Sequence, residues 1–180
     1  MSTKNKIIIS IILVTLGAVM RVLPHAWNFA PIAGIALFAG AYLGQKYALI
    51  LPALSLFLGD MFIGFYEWQL AAAVYGSFLL IGLASAYLRK QKSIFSVAGL
   101  SLGSSLLFFF LTNWAVWQFS SWYAPSLNGL LECYAMALPF FRNTLLGDLF
   151  YTGAFFMGYE AICILAKQNK TAISDIKIKA

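Results

Sequence analysis

Charge is what this sequence has least of. Only 10% of its 180 residues are charged, against roughly 25% in an average soluble domain, so a water-exposed fold would lack the polar surface to solvate it. Histidine is nearly missing as well. His25 stands alone, and without a second imidazole neither a zinc site nor a paired acid–base relay can be built around it. The phosphate-cradling G-x-x-x-x-G-K-S/T loop is absent, so no nucleotide motor is visible, and if the chain pumps, the energy is expected from a partner or an ion gradient. The one G-x-S-x-G string, Gly99 to Gly103, falls inside an apolar run and not on a strand-to-helix turn, so no nucleophile stands out among the many serines. No stretch alternates polar and apolar residues over about ten positions, as a membrane barrel requires.

What remains is apolar nearly from end to end, 62% hydrophobic with a mean hydropathy of +0.83. A membrane span takes about 20 mostly apolar residues. Apolar runs separated by Pro, Gly and charged clusters predict helices near 7–23, 30–44, 47–65, 69–88, 95–117 and 139–166, in one domain over residues 1–180 with a basic tail at 167–180. Lys4 and Lys6 before Ile7 imitate a secretory signal. However, Met20, Arg21, Val22, Leu23 and Pro24 follow where a small-residue cleavage site would stand, so the run counts as the first span. Pro31 and Pro139 stand where a helix can begin without losing a hydrogen bond. Pro52 falls inside the third run and should kink it unless neighbours satisfy the freed carbonyl. The second run is short, about 22 Å at 1.5 Å per residue, and calls for shelter by the others.

Basic residues fix an orientation. Lys4 and Lys6, then Lys46, then Arg89, Lys90 and Lys92, then Lys167, Lys170, Lys177 and Lys179 gather at alternate helix ends. The stretches between, at 24–29, 66–68 and 118–138, contain no Lys or Arg. By the positive-inside rule both termini are cytoplasmic. The pI of 9.4 is then a signal of topology. Nucleic-acid binding would need basic and aromatic residues together on one soluble surface, which the chain does not offer. Cys133 and Cys163 fall on opposite sides of the membrane and are not expected to pair.

All five tryptophans, Trp27, Trp68, Trp114, Trp117 and Trp122, lie in or beside the three outer loops. An interfacial belt would decorate both faces, so the one-sided set leans toward an aromatic-lined outer pocket, although each tryptophan alone serves equally well as a lipid anchor. Charges at membrane depth collect on the same side: Arg21, Asp60, Arg142 and Asp148, with Asn28, Asn113, Gln118, Asn143 and Thr144 at similar depth. A charge at the bilayer centre costs roughly 2.5–3.5 kcal/mol on insertion scales, so Asp60, Arg142 and Asp148 should face the bundle interior. Internal ion pairs that fix helix packing weigh slightly ahead of ligand contact for such groups. Small residues at Ala36, Gly40 and Gly44, and at Gly99 and Gly103, mark close helix approaches within the bundle or against a separate subunit. Cys133 sits in the third outer loop, where its thiol can meet an external ligand, and it joins His25 as a remote candidate for metal contact.

The run Arg21-Val22-Leu23-Pro24-His25, then Asn28-Phe29-Ala30-Pro31, then Ala36 to Tyr42 resembles the start of an uncharacterised family of membrane transport proteins. Asp60 after a Leu-rich helix, Thr112-Asn113 with Val116-Trp117, and Pro139 to Asp148 resemble its later blocks. That family is similar in turn to the S-components of energy-coupling factor transporters, six-helix proteins that capture vitamins under their outer loops. The resemblance implies a capping role for the loops after helices one, three and five, and a membrane coupling subunit with ATPases as partner. S-components typically show an Ala-x-x-x-Ala face on the first helix, and Ile7 to Leu23 contains no such pair. A solitary transporter or a different partner therefore stays open. Solitary cobalamin transporters of related fold use a cysteine at the metal, the context in which Cys133 draws notice.

On sequence alone the chain reads as an all-α integral membrane protein, a six-helix S-component-like bundle in a bacterial cytoplasmic membrane. The expected site takes a small aromatic or heterocyclic solute between Trp27, Asn28, Trp68, Asn113, Trp117, Arg142 and Asn143, with Arg21, Asp60 and Asp148 as buried structural charges. No catalytic group, metal or cofactor is called for. A structural scaffold, whose polar residues only lock helices together, and a membrane enzyme with a dispersed site are the rivals.

Overall fold

A computed structural model describes residues 1–24 and 26–168. His25 and most of the basic tail, including Lys170, Lys177 and Lys179, lie outside the described residues. Among those described there is no strand. The elements are α1 (Thr3–Val22), α2 (Ile32–Phe38), α3 (Gln45–Ile63), α4 (Trp68–Ala84), α5 (Ile94–Phe119) and α6 (Leu127–Lys179). A π-helical stretch (Ala39–Leu43) extends α2, and a 3₁₀ turn (Ser85–Arg89) extends α4. Five of the helices are long and apolar enough to cross a membrane, and the described part of α6, Leu127–Gln168, alone has 42 residues.

The short helix is the centre of the bundle. Ile32–Leu43 has too few residues to span, about 18 Å at 1.5 Å per residue. Yet every residue from Ile32 to Phe38 is buried, against α3, α4, α5 and α6. Glycine permits this closeness: at Gly34 a Cβ would stand 3.1 Å from the backbone nitrogen of Thr152 on α6. The other end of α2 is fixed by charge and by a turn. Lys6 Nζ donates to the Leu43 carbonyl at 2.9 Å, placing a cation on the C-terminal end of the helix. Gly44 then turns the chain into α3 with φ 122, a conformation that L side chains rarely adopt. Ala36 and Gly40 of the small-residue stripe are packed inside, Gly40 against Ser85, whereas Gly99 and Gly103 face open space.

Pro52 stays inside α3, and the Ala48 carbonyl it frees lies against Gly82 of α4, where a Cβ would approach within 2.6 Å. The largest departure from expectation concerns α6. It begins at Leu127 and not at Pro139, so the third connection shrinks to 120–126. Ser126 starts the helix, its Oγ accepting from the Gly129 N–H at 3.2 Å. The first turns are then held to α5 by Tyr134 Oη donating to the Phe110 carbonyl at 2.9 Å and Cys133 Sγ donating to the Asn113 carbonyl at 3.4 Å. Cys133 is therefore a buried packing residue on a helix and not a loop thiol open to an external ligand.

Candidate functional site

Where α1, α3 and α5 end, the bundle is open. The connection from α1 to α2 runs through Asn28, whose φ of 63 is a left-handed value that asparagine tolerates better than most residues. The Phe29 N–H donates to the Ala26 carbonyl at 3.0 Å and closes a tight turn beneath Trp27. Under this turn lies a two-lobed cavity. One lobe, about 390 Å³, is bounded by Arg21, Trp27, Asn28, Phe78, Phe108, Thr144 and Asp148. The other, about 250 Å³, is bounded by Asn28, Phe108, Thr112, Asn113, Phe140 and Thr144. Asn28, Phe108 and Thr144 border both. Such a space, apolar in its walls with a few polar groups turned in, is what small-molecule sites are made of.

Two polar assemblies frame it. Arg21 on α1 forms an ion pair with Asp60 on α3, and Asp60 also accepts from Tyr75 Oη on α4 at 2.7 Å, so three helices meet on one buried carboxylate. Gly59 makes room for it: a Cβ there would stand 2.6 Å from Arg21 Cδ. In the connection after α3, the Tyr66 hydroxyl is pushed up to about 12, by desolvation first and the Asp60 carboxylate second, with Arg21 pulling it down. The second assembly joins α5 to α6. Ser105 Oγ donates to Asp148 Oδ2 at 2.6 Å, and Ser101 Oγ donates to Thr152 Oγ1 at 3.4 Å. Spacing of four on each helix, Ser101 to Ser105 and Thr144 to Asp148 to Thr152, aligns these groups on facing surfaces.

A protein-family profile, described as a family of unknown function (DUF6580), matches residues 1–172. The chain belongs to that family. No curated protein and no solved structure matches it.

In this DUF6580 member the residues expected to form a site divide. Trp27, Asn28 and Asn113 border the cavity. Asn113 Nδ2 donates to the Phe109 carbonyl at 2.8 Å, which fixes its amide at the cavity wall. Trp68 instead borders a separate apolar groove of about 500 Å³ between α4 and α5, together with Trp114. Trp117 clasps the α5–α6 turn, its Nε1 donating to the Ala124 carbonyl at 3.1 Å. Asn143 borders neither lobe. Arg142 does not face the interior: its side chain is exposed, because six residues at 100° each put it some 240° around α6 from buried Asp148. Arg21, Asp60 and Asp148 are the charges turned inward. The serines of α5 and Thr152 were not among the expected residues, and the spacing of four on both helices was the available signal.

Proposed function

We propose that the chain crosses the cytoplasmic membrane six times with both termini inside and takes up a small organic solute through the two-lobed cavity. The sixth crossing is the extended segment 24–31 followed by Ile32–Leu43, irregular backbone at membrane depth being tolerable where protein encloses it. Lys6, Lys46, Arg89, Lys92 and Lys167 lie at the end opposite the cavity, which supports a cavity open to the outside. In this topology a cysteine at Lys90 escapes an impermeant thiol reagent in intact cells and one at Ser126 is labelled, in a background with Cys133 and Cys163 replaced. The reverse pattern would overturn the orientation.

The observation that carries transport is the cavity itself: a structural scaffold needs its outer half filled, whereas here Arg21, Asn28, Asn113, Thr144 and Asp148 border open space beside Trp27. Its mixed lining suits a flat solute with several hydrogen-bonding groups, of the vitamin-like size that the S-component resemblance implies. Purified full-length protein analysed by native mass spectrometry should retain such a molecule. Trp27→Ala should weaken that binding about twofold to tenfold, since an aromatic contact contributes about 0.5–1.5 kcal/mol beyond area burial. A protein that retains no small molecule, with Trp27, Asn28 and Asn113 freely replaceable by alanine, would return the reading to a scaffold.

A further inference from the structure

A further cavity, about 370 Å³, opens between α5 and α6 at the end that carries the basic residues, bordered by Tyr42, Lys92, Ser101, Thr152 and Glu160. Asp148 borders the outer cavity and Thr152, one helical turn further along α6, borders this one. On α6, residues one turn apart, about 5.4 Å of rise, therefore border the two spaces. We propose that Asp148 is a proton-binding group reached alternately from the two cavities, and that its protonation couples solute movement through the outer cavity to the proton gradient. The inference rests on the transport reading and supplies its energy source.

The hydrogen bonds around Asp148 suit two protonation states with no more than a turn of the Ser105 hydroxyl. Ser105 Oγ has a single hydrogen and two acceptors in reach, Asp148 Oδ2 at 2.6 Å and the Ser101 carbonyl at 3.2 Å. With the carboxylate ionised, Ser105 donates to it. When a proton arrives from water in the outer cavity, the new carboxylic acid donates to Ser105 Oγ, and Ser105 turns its hydrogen to the Ser101 carbonyl. Release to water in the inner cavity restores the first arrangement, so one proton enters and one leaves per cycle and no bond other than O–H changes.

The surrounding charges leave this role open to Asp148 alone. It is 5% exposed and makes no ion pair with a described residue. Arg21 of α1 borders the same cavity but is committed to Asp60 of α3, which also holds Tyr75 of α4. No residue of α5 is acidic or basic, and Tyr42 is the one titratable residue in Ile32–Leu43. On α6 Arg142 points away, Tyr151 lies among Phe29, Phe150 and Phe155, and Glu160 is taken by Tyr42 Oη at 2.5 Å. Sodium would need several oxygens converging beside the carboxylate, and among the described residues Ser105 Oγ is the side-chain oxygen brought within hydrogen-bond distance of it.

The test uses full-length protein in lipid nanodiscs and dicyclohexylcarbodiimide, which reacts with protonated carboxyl groups in apolar surroundings. Peptide mass spectrometry should place the adduct on Asp148, with a rate that falls about tenfold per pH unit above a midpoint. Asp148→Asn should abolish it. Ser105→Ala should move the midpoint upward, because the ionised form loses its hydrogen bond. A merely structural aspartate would show none of this. Cysteines at Thr144 and Ala98 should react with an impermeant reagent from opposite membrane faces. Labelling of Asp148 that ignores pH, suppression by sodium at fixed pH, or reaction of both cysteines from one face would each overturn the proposal. Failure of these arms with a solute still retained removes the coupling and leaves the transport reading. A normal titration with no solute retained removes the transport reading, and the coupling with it.

Discussion

Asp60→Asn is expected to lower stability by about 3–5 kcal/mol, the range found when one partner of a buried ion pair is removed. Asn keeps the shape of the side chain, so the loss reports the charge. Asp60 is 1% exposed and Arg21 keeps 18% of its side-chain surface. The variant thus strands a guanidinium inside the bundle and weakens the Tyr75 hydrogen bond to a charged acceptor. Arg21→Met combined with Asp60→Leu should recover most of the loss, since well-packed apolar residues often match a buried pair in stability. Gly59→Ala should show the same defect in milder form, about 1–3 kcal/mol, by pushing Arg21 off its path. Denaturant unfolding in mixed micelles measures all three. Wild-type stability in Asp60→Asn would mean that the pair is solvated and holds no helices together.

The membrane explains why much of this architecture could be read from the residues. It demands apolar length, and Thr3–Val22, Gln45–Ile63, Trp68–Ala84 and Ile94–Phe119 all fall within a few residues of the apolar runs. Those demands stop at the bundle interior. Leu127 to Leu138 looked like a loop because Asn128, Gly129 and Glu132 interrupt it and Pro139 resembles a helix start. What makes it helical is its docking to α5 through Cys133 and Tyr134, together with the Ser126 cap. A missing proline N–H can be tolerated inside a helix when neighbours hold both sides.

Which polar residues interrupt or flank the apolar runs was legible in the sequence, and direction around each helix was not. Asn28, Asn113 and Asp148 are polar residues in or beside apolar runs and border the cavity. Tryptophan favours the interface whether it faces a cavity or lipid, so nothing in the composition separates Trp27 from Trp68 or Trp122. An evenly apolar helix also carries little sign of which face meets protein. That is why Arg142 and Asp148 could be placed on one helix without its being clear that they point about 120° apart around it, one exposed and one buried.

Leu37→Ala should cost about 2–5 kcal/mol, as large-to-small changes in a packed interior do, whereas Ile50→Ala should change stability by less than about 0.5 kcal/mol. Both residues are aliphatic and both lie at membrane depth, so hydropathy ranks them together. Leu37 is 0% exposed, in the helix that α3, α4, α5 and α6 enclose, while Ile50 is 58% exposed on the outside of α3. Lipid tails are as apolar as leucine, so helix association here rests on packing. A truncated Ile50 is met by lipid, and a truncated Leu37 leaves a void that no tail can enter. The contrast tests whether the short helix is the keystone that lets twelve residues stand where a full span would be needed. Equal unfolding free energies for the two variants would place α2 in contact with lipid and undo the enclosed arrangement on which the cavity depends.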